Sequence, residues 1–229
     1  MRVLRAIAAA LSTLLVYLGL SLFGWGLGDL RGYFALGPRV AYALLVGVFA
    51  IAVAIQAYGS LAGIRGRRGD ATKRVGRQTL FTMALVLAMY AALVLLPHAD
   101  RREVATFPVG LPLRWLGACL AGCGFALVYW SGVALGDMYS KEVTIQADHR
   151  LVTTGLYRHI RHPRYMGVLL MALGLSLIYR SWPGLAACGL LVPFLLLRIR
   201  DEEGVLHAQF GEAWEAYVER SWRLVPRVF

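Results

Sequence analysis

Residues 165–197 read YMGVLLMALGLSLIYRSWPGLAACGLLVPFLLL, an apolar block of 33 residues with a single charge at Arg180. One helix of that length would exceed the roughly 20 residues that cross a bilayer. It would also bury Arg180 near its centre, at a cost of at least about 2.5 kcal/mol. Pro183 and Gly184 are helix breakers just beyond this charge. The block therefore predicts a helical hairpin, with Tyr165–Tyr179 and Trp182–Leu197 as its arms and residues 180–184 as its turn.

Four longer uncharged runs precede the hairpin, and each could span a membrane. Overall, 59% of the 229 residues are hydrophobic and 16% are charged, which excludes an ordinary soluble domain and a disordered chain. The first run exceeds the h-region of a signal peptide, so we expect it to be retained. The sequence predicts an all-α integral membrane protein with about six transmembrane helices. The four runs are Ala6–Gly28, Val40–Ile64, Thr79–Leu96 and Trp115–Gly136. The hairpin arms have only 15 and 16 residues, which leaves open a re-entrant pair.

Positive charge is distributed unevenly between the two predicted sides. The net charge is +11, and the predicted inner segments hold 18 Lys and Arg against 6 in the outer segments. This asymmetry predicts cytoplasmic N- and C-termini. In so apolar a chain the basic loops are expected to face anionic lipids rather than nucleic acid.

The Ala- and Arg-rich composition is typical of bacteria and suggests an inner membrane. Cys119, Cys123 and Cys188 lie in apolar runs and are expected to be small hydrophobic residues, and no metal site is predicted.

A polar segment, residues 137–164, carries the first group of candidate functional side chains. Alternating residues on either side of 147–150 predict a short β-hairpin or an extended loop. Pro163 is typical of the first turn of a helix, so Arg161, His162 and Arg164 would crowd a helix N-terminus. Free N–H groups and the helix dipole favour an anion there. The segment predicts a carboxylate or phosphate site, or a basic cluster that only fixes topology.

The second group begins where the chain returns to the predicted cytoplasmic side. Arg198 precedes Glu202 by one helical turn, and Glu203 follows. The spacing fits a surface ion pair worth a few tenths of a kcal/mol. It equally fits a carboxylate pair facing a cationic ligand, with an arginine for an anionic one. Beyond it, apolar residues at helical spacing predict one amphipathic helix that lies on the membrane or closes over the site: Leu206, Phe210, Ala213, Trp214 and Tyr217. Packing is the favoured role of its aromatic side chains.

Together the two segments resemble the isoprenylcysteine carboxyl methyltransferase and phospholipid methyltransferase superfamily. The resemblance covers residues 137–226, and residues 1–136 match only as generic membrane spans. Three positions depart from the usual pattern: Leu156 replaces a common proline, Gly204 a larger residue, and Ser221-Trp222 a Val-Pro pair. The last two concern the acceptor side. The motifs are His149-Arg-Leu-Val-Thr-Thr-Gly155-Leu-Tyr157, Arg161-His162-Pro163-x-Tyr165-x-Gly167, Arg198-x-x-x-Glu202-Glu203, and Phe210-Gly211-x-x-Trp214-x-x-Tyr217 with Pro226.

The resemblance implies an enzyme, a methyltransferase that uses S-adenosylmethionine in a cytoplasmic pocket closed by the C-terminal amphipathic helix. Residues 1–136 would form an N-terminal four-span region on the side of a lipophilic acceptor, and residues 137–229 the methyltransferase core. Arg198 and Glu203 are the implied catalytic residues, with Arg198 holding an acceptor carboxylate. The implied donor-binding residues are His149, Leu151, Gly155, Tyr157, Arg161, His162, Pro163, Tyr165, Glu202 and Glu203.

Several functions remain open at this point. Carboxyl O-methylation of an isoprenylcysteine-like substrate is the leading expectation, with phospholipid N-methylation or small-thiol S-methylation as alternatives. An amine or thiol acceptor would need a base, for which His162 or a glutamate is available. An NADPH-dependent sterol reductase has a similar C-terminal core, although we expect it to lack the Arg-His-Pro and Glu-Glu combination. A non-catalytic membrane scaffold is the third class. Membrane lipids are the other expected partners, and the sequence indicates no obligate protein partner.

Overall fold

The computed structural model describes residues 1–59, 76–135 and 151–227, without the side chains of 76–79. These ranges are almost entirely helical. The predicted β-hairpin or loop around 147–150, together with His149, lies outside the described residues. The helices are α1 (Arg2–Trp25), α2 (Leu30–Phe34), α3 (Gly37–Gly59), α4 (Gly76–Arg102), α5 (Leu111–Leu135), α6 (Pro163–Ile178), α7 (Trp182–Phe210) and α8 (Glu212–Val218).

Within the described residues, each of the six predicted apolar runs is helical over most of its length, and the chain is a multi-pass membrane protein. Among the described residues, five helices are long and apolar enough to cross a membrane: α1, α3, α4 from Leu80 onward, α5 and α7. Helix α6 is apolar but has 16 residues, which corresponds to about 24 Å. A full crossing by α6 therefore stays a prediction.

The hairpin of α6 and α7 is confirmed, but its turn is shorter than predicted. Helix α6 ends at Ile178, and Arg180 adopts a left-handed backbone with φ of 51°. Ser181 then caps α7, because its Oγ accepts a 3.1 Å hydrogen bond from the amide of Gly184. Pro183 and Gly184 consequently lie in the first turn of α7 rather than in the turn. A proline is tolerated there because the N–H groups in the first turn of a helix have no intrahelical acceptor, so the absence of one costs no hydrogen bond.

The prediction of a single amphipathic helix near the C-terminus is wrong, because two helices share these residues. Helix α7 continues past Leu197 to Phe210, so Leu206 and Phe210 belong to it. Gly211 ends α7 with φ of 49°, a left-handed conformation that glycine adopts without strain. The shorter helix α8 follows and carries Ala213, Trp214 and Tyr217.

Helices α5 and α6 approach each other closely through glycine. A Cβ at Gly124 would lie 2.5 Å from Met171 Cγ and 2.6 Å from the carbonyl oxygen of Gly167. A Cβ at Gly174 would lie 2.6 Å from the amide nitrogen of Ala121. Small residues allow such close backbone contact between helices in lipid. This contact holds the start of α6, and with it residues 161–165, against the rest of the bundle.

Replacing Gly124 with alanine is expected to destabilise the protein by about 1–3 kcal/mol, because the added methyl overpacks the contact with α6. Gly132 lies in the same helix with open space around its Cβ position, so Gly132→Ala is the matched control. Thermal unfolding in detergent should show a lower Tm for Gly124→Ala and an unchanged or higher Tm for Gly132→Ala. Equal Tm values for the two variants would contradict this packing.

At the opposite end of α6, a buried carboxylate joins four parts of the bundle. Asp100 of α4 accepts hydrogen bonds from Arg114 Nη2 of α5 at 3.0 Å and from Arg180 Nε at 2.8 Å. Arg39 Nη1 of α3 lies 3.9 Å from the same carboxylate. Arg180, in the turn of the hairpin, is thus bound to a side chain of α4. The cluster fixes the turn between α6 and α7.

The predicted topology can be tested at exposed positions on the two ends of the bundle. Glu219 follows α8 near the C-terminal segment, whereas Val104 lies beyond the Asp100 end of α4 and is 60% exposed. In a background lacking Cys119, Cys123 and Cys188, an impermeant maleimide on intact bacterial cells should label Val104→Cys but not Glu219→Cys. Permeabilised cells should label both. Labelling of both positions in intact cells would overturn the assignment of sides.

Candidate functional site

The start of α6 is joined to the C-terminal segment by backbone hydrogen bonds. The amide of Arg161 donates to the carbonyl oxygen of Trp222 at 2.7 Å, and the amide of His162 donates to that of Arg223 at 3.0 Å. The amide of Trp222 donates in return to the carbonyl oxygen of His159 at 2.9 Å. The sequence predicts free N–H groups for an anion at this helix N-terminus. For Arg161 and His162 that expectation is wrong, because the returning chain occupies them.

The Arg161 and Glu203 side chains hold the same junction together. Arg161 Nε donates to Glu203 Oε1 at 2.9 Å, and Arg161 Nη1 donates to the carbonyl oxygens of Val218, at 3.2 Å, and Ser221. Arg223 Nε donates to Glu203 Oε2 at 2.9 Å, and His162 Nε2 lies 3.4 Å from Oε1. The Glu203 side chain is only 11% exposed. A carboxylate bonded this fully is suited to fastening the C-terminal segment.

A second network runs through Tyr165 and joins three helices. The Tyr165 hydroxyl donates to Glu202 Oε2 at 2.7 Å and accepts from Arg198 Nε at 2.8 Å. Arg198 Nη1 donates to Thr82 Oγ1 of α4 at 2.8 Å. The order of donors is fixed, because a guanidinium can only donate and the single tyrosine proton must then point at Glu202. Glu202 Oε2 is consequently the acceptor in this bond.

Both networks border a cavity of about 790 Å³. Its polar end contains Arg161, His162, Arg198 and Glu202, and its other end extends to Gly184 between α4, α6 and α7. The Glu202 side chain is 31% exposed, which makes it reachable by a ligand, whereas Arg198 is buried at 6% exposure. Along the two helices that face each other across the cavity, the walls are largely apolar: Leu85, Met89, Ala92 and Leu96 on α4, and Ala187, Cys188 and Leu191 on α7. The arrangement can hold an ionic group beside an elongated apolar one.

Aromatic side chains close the cavity from the C-terminal side. Trp214 and Tyr217 of α8 both line it, and the Tyr217 hydroxyl donates to the carbonyl oxygen of Tyr157 at 2.6 Å. Burial raises the pKa of Tyr217 to about 12, and it raises the pKa of Tyr157 as well. Both phenols therefore remain neutral throughout the physiological pH range. Helix α8, the second part of the segment predicted as one amphipathic helix, covers the polar end, which is one of the two placements that the sequence left open. Its aromatic residues line the cavity as well as packing.

Comparison with known proteins shows similarity to one group of membrane methyltransferases. Residues 113–213 match the phospholipid methyltransferase family model. The protein-S-isoprenylcysteine O-methyltransferase of Schizosaccharomyces pombe is 37% identical over 82 residues, which cover 35% of each chain. A solved structure of the eukaryotic intramembrane Ras methyltransferase, an isoprenylcysteine carboxyl methyltransferase, shares the fold over 96% of this chain and 98% of its own, with a TM-score of 0.52 and 17% identity. Together these matches support the isoprenylcysteine carboxyl methyltransferase and phospholipid methyltransferase superfamily as the group that this chain resembles.

Other relatives show how far the similarity extends within the superfamily. The match spans about a third of the length of the S. pombe relative. A probable protein-S-isoprenylcysteine O-methyltransferase of Oryza sativa subsp. indica is 29% identical over 76% of this chain and 91% of its own. The mouse Delta(14)-sterol reductase is 32% identical over 53% of this chain and 32% of its own. Because one relative is a reductase, similarity alone does not fix the reaction.

The two segments that carry the superfamily motifs meet at the cavity. Seven of the predicted site residues line it: Leu151, Tyr157, Arg161, His162, Tyr165, Arg198 and Glu202. Glu203, Gly155 and Pro163 are not among the lining residues. Gly155, with φ of 61°, begins the short 3₁₀ turn that carries Tyr157, and Pro163 begins α6. Their roles, and that of His149, stay predictions.

Two residues of the site have no counterpart in the sequence prediction. Thr82 reaches Arg198 from the N-terminal region, and Arg223 reaches Glu203 from the C-terminal segment. Thr82 had a detectable signal, because a polar side chain in an apolar run is a candidate functional residue. Arg223 had none, since a basic residue near a membrane is ordinary. Helices α5 and α6 lie on opposite sides of the predicted boundary at residue 136, yet they pack closely against each other. The division into 1–136 and 137–229 therefore stays a prediction about function.

Proposed function

We propose that the protein is an integral-membrane, S-adenosylmethionine-dependent methyltransferase that methylates the carboxylate of an isoprenylcysteine-like lipid. The observation that carries the proposal is the shared polar end of the cavity. Glu202, a reachable carboxylate, and Arg198, a buried guanidinium, both border it, and both contact the Tyr165 hydroxyl. A cationic methyl donor and an anionic lipophilic acceptor can therefore meet there.

The residues present fit the donor. The cavity lies within the roughly 300–1,000 Å³ typical of small-molecule sites, which is room for an adenosine-sized ligand. Glu202 would face the cationic groups of the donor. The side chains around its adenosine would be Tyr157, Trp214 and Tyr217. When bound, S-adenosylmethionine supplies an electrophilic methyl group on a sulfonium. We keep His149, Leu151 and Gly155 as candidate contacts for the adenosine.

The acceptor chemistry asks little of the protein as an acid or base. A carboxylate is already a nucleophile, so the residues need only align it and exclude water. Arg198 would bind the carboxylate with its planar guanidinium. The apolar walls formed by α4 and α7 would hold the lipid chain. In this proposal His162 has no proton to remove.

We assign Arg161 and Glu203 a structural role in place of the donor-binding and catalytic roles implied by the resemblance. Their charges are directed at each other and at the C-terminal segment. Removing either would leave a buried charge unpaired, which is costly. They position the ligand-facing residues by holding α6 and the end of the chain together.

The proposal is tested by transfer of a tritiated methyl group to a farnesylcysteine analogue in vesicles. A carboxyl methyl ester releases labelled methanol in base, so base-labile label in the lipid fraction is the expected product. Base-stable label would indicate N- or S-methylation. The second candidate is a nicotinamide-dependent sterol reduction, which the mouse relative suggests. Consumption of NADPH without methyl transfer would favour that candidate.

A further inference from the structure

We propose that Thr82 is a positioning residue for acceptor recognition, because it fixes the Arg198 guanidinium from a helix outside both superfamily motifs. The inference rests on the proposed function in one respect, the assignment of the acceptor carboxylate to Arg198. The inference adds a specificity-determining residue on α4. The anion site is then formed by three helices and not by the C-terminal motifs alone.

The first step is the geometry around the guanidinium. Arg198 is on α7, its Nε donates to Tyr165 on α6 at 2.8 Å, and its Nη1 donates to Thr82 on α4 at 2.8 Å. Two acceptors on different helices define both the position and the plane of the guanidinium. An arginine has several rotatable bonds, and fixing them before the ligand arrives removes an entropic cost from binding.

The second step is the surroundings of this hydrogen bond. Arg198 is 6% exposed, and Thr82 is half-buried. Thr82 lies at the polar end of the cavity, and Leu85 and Met89 continue the α4 wall from it. A hydrogen bond to a charged group is stronger in such a low-dielectric setting, and a buried donor that loses its acceptor pays the full cost of desolvation. The hydroxyl therefore matters more here than on an open surface.

The third step is that α4 and α7 are held in register at this level. The rings of Phe81 and Phe194 contact each other edge to face, with centroids 4.9 Å apart. Phe81 neighbours Thr82, and Phe194 precedes Arg198 by one helical turn on α7. This apolar contact would keep Thr82 opposite Arg198 even when the hydroxyl is removed. A variant at Thr82 should thus change recognition without separating the helices.

The test compares two lipids that differ only in the acceptor group, N-acetyl-S-farnesylcysteine and its methyl ester. Binding of each to the full-length protein in detergent is measured by calorimetry. Wild type should prefer the carboxylate. Thr82→Val, which keeps the branched shape, should weaken carboxylate binding about tenfold and leave ester binding unchanged. Thr82→Ser should restore the preference, and in turnover assays Thr82→Val should raise the acceptor KM with kcat and donor affinity near wild type.

Thr13 supplies a matched control. It is a buried threonine on α1 whose hydroxyl donates to the carbonyl oxygen of Ala9 at 2.8 Å, and it does not line the cavity. Thr13→Val should leave both affinities unchanged. An unaltered carboxylate preference in Thr82→Val, or no preference in wild type, would overturn the inference. A wild type that prefers the carboxylate but transfers no methyl group would leave the inference standing and refute the proposed function.

Discussion

Arg198→Lys is expected to lower kcat/KM for a carboxylate acceptor by about 100-fold while donor affinity stays within about threefold of wild type. A guanidinium offers a planar pair of N–H groups to a carboxylate, whereas an ammonium offers a single point charge. Lysine also has a single nitrogen in place of the Nε and Nη1 that donate separately to the Tyr165 hydroxyl and to Thr82 Oγ1. Parallel titrations with donor and acceptor measure the two effects separately.

Arg200 provides the control, because it lies on the same helix two residues later and is exposed. Arg200→Lys should leave both parameters unchanged. If the acceptor were an amine, an adjacent arginine would be of little use, and Arg198→Lys would keep most of the activity. Near-normal turnover of Arg198→Lys would thus refute carboxyl methylation while leaving methyl transfer possible for another acceptor.

Replacing each of the two adjacent glutamates with glutamine is expected to change a different property, namely thermal stability for Glu203 and donor affinity for Glu202. Glu203→Gln removes a carboxylate that accepts hydrogen bonds from Arg161 and Arg223, so the buried guanidinium of Arg161 loses its counter-charge. Breaking a buried ion pair costs about 3–5 kcal/mol, which corresponds to a fall in Tm of roughly 10 °C for a chain of this size. Thermal unfolding in detergent measures the fall directly.

Glu202→Gln serves as the internal comparison. The Glu202 side chain is 31% exposed and borders the cavity, so its loss of charge should leave Tm within about 2 °C of wild type. Donor affinity should instead fall about tenfold, since a cationic ligand loses its carboxylate. The opposite pattern, with Glu203→Gln folded normally but unable to bind donor, would restore Glu203 to the catalytic role implied by the resemblance.

Much of the architecture was predictable from the sequence because lipid imposes simple rules. Uncharged runs of sufficient length had to become helices, and Arg180 had to lie near an end of the hairpin. The boundaries were less predictable. Pro183 and Gly184 looked like a turn, yet both fit the first turn of α7 once Ser181 caps it. Gly211 divided the predicted amphipathic helix, because a left-handed residue has no signature in hydrophobic periodicity.

The candidate site was predictable as a set of residues but not as a set of roles. Tyr165, Arg198 and Glu202, which the motifs place in one site, line the same cavity. The adjacent Glu202 and Glu203 look equivalent in sequence. Their roles differ only once the C-terminal segment has returned to α6, because Arg161 and Arg223 then donate hydrogen bonds to Glu203. Thr82 could be flagged as polar within an apolar run, but its partner lies 116 residues away, a contact that local patterns do not reveal.

The most direct test of the central claim is calorimetric titration of the purified, folded protein with S-adenosylhomocysteine, with NADPH titrated in parallel. We predict saturable binding of S-adenosylhomocysteine at one site, weakened about tenfold by Glu202→Gln and nearly unchanged by Arg198→Lys, with no binding of NADPH. A folded wild-type protein that binds NADPH and not S-adenosylhomocysteine would contradict the assignment as a methyltransferase.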